Sequence, residues 1–412
     1  MDMLERANIK NEVLLKFESD ILGSKPKYKF IRDYISPGDE NIQIDGLITT
    51  EEGYPYCFID VRFNSQGNES QIMRRKISND VRRIQARFAV ITDGLTYLLL
   101  DSSDAIPSFR KKEYDKIIQY LVNPRDNSQK LCEYVAEVFP FLNINLGDVC
   151  FDNNKFLMAS LDKETLLIKS IFEFEDFSQT VYRYTSLKTV FEMLNDHKIK
   201  MWGIAGMNDI TEVNYIERIL YPPDTPLDTG INKVFIMSCS DNKEDDLTQW
   251  RLYGDDGKGV CLKFEPKGKN DFFIFRKIEY LNRNSAQIRK LQNFVYGAYA
   301  RTGYIFGFNT LHEWCHFIKP KNYEVESEVR LLYKLSDQNP SGWVLSNGTN
   351  IVNPYMDFDL DAFPLKLKKI ILGPKCPESD MNLFQLKALI ENHPNSSLKD
   401  IEISKSKIEN YR

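Results

Sequence analysis

The spacing of apolar positions divides the chain in two. Over about residues 2 to 18 they recur at helical intervals. NIQIDGLIT (41–49), PYCFIDVRF (55–63), FAVITDG (88–94) and LTYLLLD (95–101) are short apolar runs bounded by Gly, Pro or Asp, which predicts strands. A basic helix is predicted over about 70–86, and a helical stretch over 110–140 closes the unit. Helix, hairpin, helix and strand pair together predict a compact α/β domain over residues 1–145. NINLGDVCFDNNKF carries turn chemistry without a helical period, which predicts a linker over 146–179.

The second half, residues 180–412, is patterned differently. A short strand at 181–184 precedes a helix whose Leu187, Val190, Phe191 and Leu194 form an i, i+3, i+4, i+7 stripe, with Thr185 or Ser186 placed to cap it. Then come a strand KVFIMSCS, a Gly-rich turn YGDDGKG, a strand GVCLKF, an aromatic helix over about 287–316 and a last strand in KLKKIILGP. The stretch KNYEVESEVRLLY, 321–333, reads as one strand, with Glu324, Glu326, Glu328 and Arg330 at alternate positions and Val325, Val329 and Leu331 between. Mixed order and the lack of a repeating βα unit predict an α+β domain.

Composition narrows the function classes. With 42% hydrophobic and 27% charged residues the chain is of globular type, and a net charge of −5 gives no general drive towards nucleic acid. One local basic stretch, Arg74, Arg75, Lys76, Arg82, Arg83 and Arg87, is the exception, and it predicts either a solvated helix face or a DNA or RNA contact. The start, MDMLERANIKNEV, has no apolar core of a signal peptide, and no run approaches a membrane span, so a cytoplasmic protein with no membrane partner is expected. Seven scattered cysteines without a CxxC pair read as small buried hydrophobes in a reducing compartment.

Three constellations could carry chemistry. On one strand face Glu326 and Glu328 would stand about 7 Å apart, repelling unless paired, and facing a cleft if the strand is internal. Arg183, in YRYTS just before a capped helix, would join a forked donor to free N–H groups and so suit a pyrophosphate. In SCSDNKEDDLTQWRLYGDDGKGVCLKF, Gly254, Gly257 and Gly259 would let backbone approach a ligand, and Trp250 or Tyr253 could stack on a planar ring.

In this order YRYTSLKTVFEML, MNDITE, CSDN…W..YGDDGKGVCLKF, NYEVESEVRLLY and KKIILGP resemble the elements of a widespread bacterial family of unknown function: a YRY strand, an FNDPFE box, a W..Y....GV.L turn and strand, an E.EYR strand and a late ILGP strand. The resemblance spans about residues 180–410. The box here, 207–212, lacks the Phe and Pro but keeps Asn208, Asp209 and Glu212. That family is similar in turn to ADP-ribosyltransferases. The resemblance implies an ADP-ribosyltransferase-like mixed sheet with helices, NAD as substrate, Glu328 and Glu326 as an ExE pair, and Arg183 with Tyr182, Tyr184 and Thr185 on a first strand. It places Ser238 to Ser240 on the serine strand, with Trp250 or Tyr253 beside a ring and Asn208 and Asp209 near the cofactor. An NAD-dependent ADP-ribosyltransferase or NAD glycohydrolase, acting as a bacterial toxin or phage-defence effector, is thus expected. The acceptor implied is a protein, a nucleic acid or water, and nothing in the sequence sets the oligomeric state.

Three alternatives stand beside this. QIDGLI followed by PYCFIDVRF resembles the core of restriction-endonuclease-like domains, over about residues 5–125. That implies Asp45 and Asp60 as ligands of a divalent metal such as Mg, with Arg62 where the family has Lys. A degenerate domain that keeps the scaffold and serves as a sensor or targeting module, binding nucleic acid through Arg74, Arg75, Arg82 and Arg83, is expected beside the transferase-like half, with a metal-dependent DNA nuclease as the alternative. Residues 312–316, HEWCH, spell HExxH, which on a helix could place His312 and His316 on zinc with Glu313 as base, as in a metallopeptidase. The last alternative is a non-catalytic nucleotide- or protein-binding module.

Overall fold

The computed structural model describes residues 3–63, 68–104, 107–125, 127–152, 155–174, 176–206, 214–222, 225, 233–268, 272–335, 342–345, 352–409 and 411. It forms two compact units: residues 1–172, 216–227 and 283–311 in the first, and 173–215, 228–282 and 312–412 in the second. The box 207–212, with Asn208 and Asp209, lies outside the described residues.

Unit 1 holds a six-stranded sheet in sequential order, β1 (Lys29–Ser36), β2 (Asp39–Thr49), β3 (Pro55–Val61), β4 (Phe88–Thr92), β5 (Tyr97–Asp101) and β6 (Arg110–Lys112). Neighbours pair antiparallel except β3 and β4, which run parallel because the helix Asn68–Arg83 carries the chain back between them. β3 is buried throughout, as its unbroken PYCFIDV run requires. One face packs on Val13, Leu14, Phe17 and Ile21 of the first helix, Met3–Ser24, and the other on Ile77, Val81 and Ile84.

The domain boundary differs from the expected one. Residues 146–179 are not a linker: β7 (Val149–Asp152), β8 (Lys155–Met158) and the helix Leu161–Lys169 belong to unit 1. β8 pairs with β15 (Ile305–Phe306), so a distant segment completes its sheet. The helix expected over 287–316 spans Ala286–Thr302 and stops at Gly303, whose φ of +73° is the left-handed cap glycine adopts freely. That helix too is part of unit 1. Its Tyr299 hydroxyl donates to the Ala86 carbonyl at 2.7 Å, and the buried Arg87 donates to the Thr302 carbonyl while pairing with Asp101 at 3.1 Å.

Unit 2 is built on a ten-stranded sheet. Its strands are β9 (Val181–Thr185), β10 (Lys198–Gly203), β11 (Val234–Asp241), β12 (Val260–Pro266), β13 (Phe273–Lys277), β17 (Glu328–Lys334), β18 (Gly342–Leu345), β19 (Val352–Asp359), β20 (Leu365–Leu372) and β21 (Glu402–Lys405). A separate parallel pair joins β14 (Glu279–Leu281) to β16 (Ile318–Pro320). The main core is one continuous cluster in which Val190 and Leu194 of the helix Leu187–Asp196 meet Phe235, Leu262, Val329 and Ile370.

β11 decides the shape of this sheet. One of its edges pairs with β17 along its length, from Val234↔Lys334 to Ser240↔Glu328. The other edge is shared: Phe235 and Ile236 pair with β10, and Ser240 and Asp241 with β9. The sheet forks there, and Met237, Ser238 and Cys239 have registered strand partners only on the β17 side.

The glycines of YGDDGKG serve the fold. A Cβ on Gly259 would stand 2.2 Å from the Thr185 carbonyl oxygen, and one on Gly373 would stand 2.2 Å from that of Gly257. Backbone approaches backbone closely here. Replacement Gly259→Ala should destabilise the protein by about 1–3 kcal/mol, read as a lower midpoint in urea unfolding, because backbone on both sides leaves the methyl no room.

Candidate functional site in the fork of the sheet

A cavity of about 430 Å³ occupies the fork. Its walls include Tyr182, Arg183 and Tyr184 of β9, Trp202 and Gly203 of β10, residues 236–240 of β11, and Gln249 and Tyr253 of the helix Leu247–Tyr253. Lys319, Tyr323, Glu326, Glu328 and Arg330 complete them. Of the residues singled out from the sequence, Glu326, Glu328, Arg183, Tyr182, Tyr184, Ser238, Ser240 and Tyr253 thus meet at one place. Thr185 and Trp250 are not among the walls. Ser186 rather than Thr185 caps the following helix, its Oγ accepting from Thr189 N at 3.1 Å. Trp250 is fully buried, packs edge-on against Tyr184 at 4.8 Å, and donates through Nε1 to Asp245 at 2.8 Å.

The acidic row is not one strand. Residues 321–326 form a 3₁₀ turn, Ser327 is left-handed with φ +48°, and the strand begins only at Glu328. The expected period-two relation of Glu326 to Glu328 is therefore absent, and a charge brings them together instead. Lys319 Nζ, 5% exposed, lies 2.7 Å from Glu326 Oε2 and 3.1 Å from Glu328 Oε2. On the far side of Glu328, Arg330 grips both oxygens, Nε to Oε1 at 2.8 Å and Nη2 to Oε2 at 3.0 Å, since residues two apart on a strand share a face. Its Nη1 donates to the His316 carbonyl at 2.6 Å.

All four groups are buried, and two cations balance two anions. Burial by itself pushes the Glu328 carboxyl up, but the Arg330 guanidinium, the Lys319 ammonium and the Ser238 hydroxyl outweigh it and hold the pKa at about 2. Glu328 is ionised at any physiological pH. Glu326 accepts from the Tyr253 hydroxyl at 2.7 Å, and its carbonyl accepts from Gln249 Nε2 at 2.9 Å. The Glu328 amide donates to the Tyr280 hydroxyl at 2.7 Å.

Arg183 enters from the other side. Cross-strand register places Tyr182, Ser240 and Glu328 on one face, so alternation turns Arg183 to the opposite one. Its Nη1 is buried without a hydrogen-bond partner, and burial pushes the guanidinium pKa down. Both charges reach Cys239 between them: burial lifts its thiol to about 12, Arg183 draws it down, and Glu328 raises it. The Tyr184 hydroxyl donates to the Lys243 carbonyl at 2.5 Å and accepts from Asp246 N at 2.7 Å. Asp246 then caps the helix that carries Gln249 and Tyr253.

The other candidate groups lie elsewhere. HEWCH does not form a continuous helix: residues 311–314 are helical and 315–317 are a 3₁₀ turn. Glu313 pairs with Lys334 at 2.6 Å, and the buried His316 carbonyl is taken by Arg330. Among the described residues the one group of three His, Cys, Asp or Glu close enough together to hold a metal is His197, Asp359 and Asp361, and it includes neither His312 nor His316. In unit 1, Asp45 and Asp60 do come into contact, and burial with the neighbouring Asp45 carboxylate raises the Asp60 pKa against the pull of Arg62. Lys10 holds Asp45 Oδ1 at 2.7 Å, Val61 N holds Oδ2 at 2.6 Å, and Arg62 Nε holds Asp60 Oδ2 at 2.9 Å. Asp60 Oδ1 is buried without a hydrogen-bond partner among the described residues. Arg74, Arg75, Arg82 and Arg83 are exposed on the helix Asn68–Arg83, whose Ile77 and Val81 are buried.

Residues 249–331 match the model of a family described as a protein of unknown function (DUF2971). The matched segment is well under half of the chain and carries Gln249, Tyr253, Lys319, Glu326, Glu328 and Arg330. No curated protein and no solved structure matches the chain. No helix among the described residues is long and apolar enough to cross a membrane.

Lys319, Trp202, Tyr323 and Gln249 were not singled out from the sequence. No local pattern marks them, because they reach the cavity from separate segments. Glu328 provides a test of the cluster. Its folded pKa of about 2 lies below the ordinary 4.5. The stabilisation is therefore complete above the unfolded value and lost as pH falls from there towards 2. Denaturant titrations at stepped pH should show the native protein's advantage over Glu328→Gln shrinking across that window, by on the order of 3 kcal/mol.

Proposed function

We propose that unit 2 cleaves the nicotinamide–ribose bond of NAD and passes ADP-ribose to an acceptor, as an ADP-ribosyltransferase or NAD glycohydrolase. The observation that carries this is a permanently ionised Glu328 in the wall of a cavity whose opposite side holds Arg183 with an orphaned donor. A half-buried guanidinium whose Nη1 has no hydrogen-bond partner among the described residues suits a diphosphate, which would occupy that donor. Cleavage develops positive charge at the ribose C1′, and a fixed carboxylate stabilises it. The C1′–N bond breaks with its electron pair passing to the pyridinium nitrogen, which leaves neutral nicotinamide. An acceptor oxygen or nitrogen bonds to C1′, and its proton passes to Glu326. The cavity volume falls within the range of small-molecule sites, and Trp202, Tyr253 and Tyr323 offer ring surfaces. The resemblance of residues 180–410 to a bacterial family that is itself distantly similar to ADP-ribosyltransferases supports the same assignment of roles.

In this reading unit 1 is an endonuclease-like sensing module. Support comes from its parallel β3–helix–β4 crossover and its exposed basic helix, which suits DNA or RNA phosphates. Coupling a sensor to a reaction that drains NAD fits a toxin or phage-defence effector.

Incubation with radiolabelled NAD and cell extract tests the reaction. Glu328→Gln should lower labelling and nicotinamide release about 100-fold or more, the scale of losing one transition-state charge contact. Equal labelling by both proteins would remove Glu328 from the chemistry. Arg183→Met should raise KM for NAD about tenfold or more while kcat changes little, as expected for a group that holds phosphate.

A further inference from the structure

Glu328 is held first by Arg330 on the same strand face, which binds both its oxygens. Glu326 has no such support from the backbone. It ends the 3₁₀ turn, is separated from β17 by the left-handed Ser327, and has no cross-strand partner of its own in the β11 ladder. Its carboxylate is located by two side chains from other segments, Lys319 of β16 at 2.7 Å and the Tyr253 hydroxyl at 2.7 Å.

Of these, Lys319 is the stronger determinant. Its ammonium is buried and its charge is opposite to that of Glu326. It also touches Glu328, so it measures out the separation of the two carboxylates. β16 is itself fixed by its parallel pairing with β14, where Lys319 stands opposite Tyr280. Tyr280 in turn accepts from the Glu328 amide, so Lys319 and Glu328 are tied to one frame. The Tyr323 ring, 4.8 Å from Nζ, covers the remaining side of the ammonium.

We infer that Lys319 is a positioning residue for the proposed reaction, holding Glu326 against Glu328 so that Glu326 can take the acceptor's proton. This rests on the reading of the cavity as an NAD-cleaving site. Lys319 acts through Glu326 and not on the dinucleotide, so its loss should appear in kcat and not in KM.

The test is a double-mutant cycle on the full chain, read as steady-state release of nicotinamide from NAD. Glu326→Gln should lower kcat about 100-fold, the usual worth of a general base. Lys319→Met should lower it on a similar scale, with KM for NAD unchanged within about threefold, because a displaced base costs nearly as much as a missing one. Lys319→Arg, which keeps the charge, should recover kcat to within about tenfold of native. In the Glu326→Gln background, Lys319→Met should cost less than about threefold more, since its effect passes through a group already removed.

That double variant deletes one cation and one anion and so leaves no unpaired buried charge. With Lys319→Arg it carries the test if Lys319→Met alone does not fold. Native kcat in folded Lys319→Met, a change confined to KM, or costs that multiply in the double variant would each overturn the inference while leaving the NAD reading standing. No NAD cleavage by the native protein would overturn the reading and the inference with it.

Discussion

Four buried charges, Lys319, Glu326, Glu328 and Arg330, set the conditions for the rest of unit 2. A carboxylate in a low-dielectric interior is costly unless paired and hydrogen-bonded, and two of them side by side repel. The structure meets that cost with two cations from separate segments and with neutral donors, Ser238 and Tyr253, on the remaining oxygens. Because the cluster is neutral as a whole, it can sit at the centre of a sheet. Because Glu328 stays ionised, the cavity wall keeps a fixed negative group facing whatever enters.

The cavity exists because β11 does not pair fully along one edge. β10 takes one end of that edge and β9 the other, and the backbone between them is left to line open space. Trp250 and Tyr184 fill the region behind β9, and the turn glycines let the 254–259 loop close against β9 and the end of β20. Tyr184 then clamps the Lys243–Asp246 stretch, whose capped helix brings Tyr253 to Glu326. Gly259 and Trp250 thus belong to the frame around the cavity.

Much of this was legible from local pattern. The helical stripe of Leu187, Val190, Phe191 and Leu194, the runs PYCFIDV and VFIMSCS, and the i, i+2 relation of Glu328 to Arg330 follow from side-chain period alone, and each forms the element its spacing predicts. The pattern failed where the backbone left its period. Lys321–Glu326 alternates like a strand but turns as a 3₁₀ segment, because Ser327 adopts a left-handed conformation that alternation of side chains does not encode. The aromatic stretch 287–316 reads as one helix, yet Gly303 ends it, and the following residues return to pair with β8.

The amino-acid order thus determined the faces: which residues of each strand and helix are buried, and that an acid and an arginine two apart on β17 share a side. Which segments meet was decided by tertiary structure alone. Lys319 lies in no motif, Arg183 and Glu328 are far apart in the chain, and segments 216–227 and 283–311 join a unit that ends its main run at residue 172. The reason is physical: a side-chain period is set by the backbone of its own element, whereas a cavity is set by how distant strands pair and where they part.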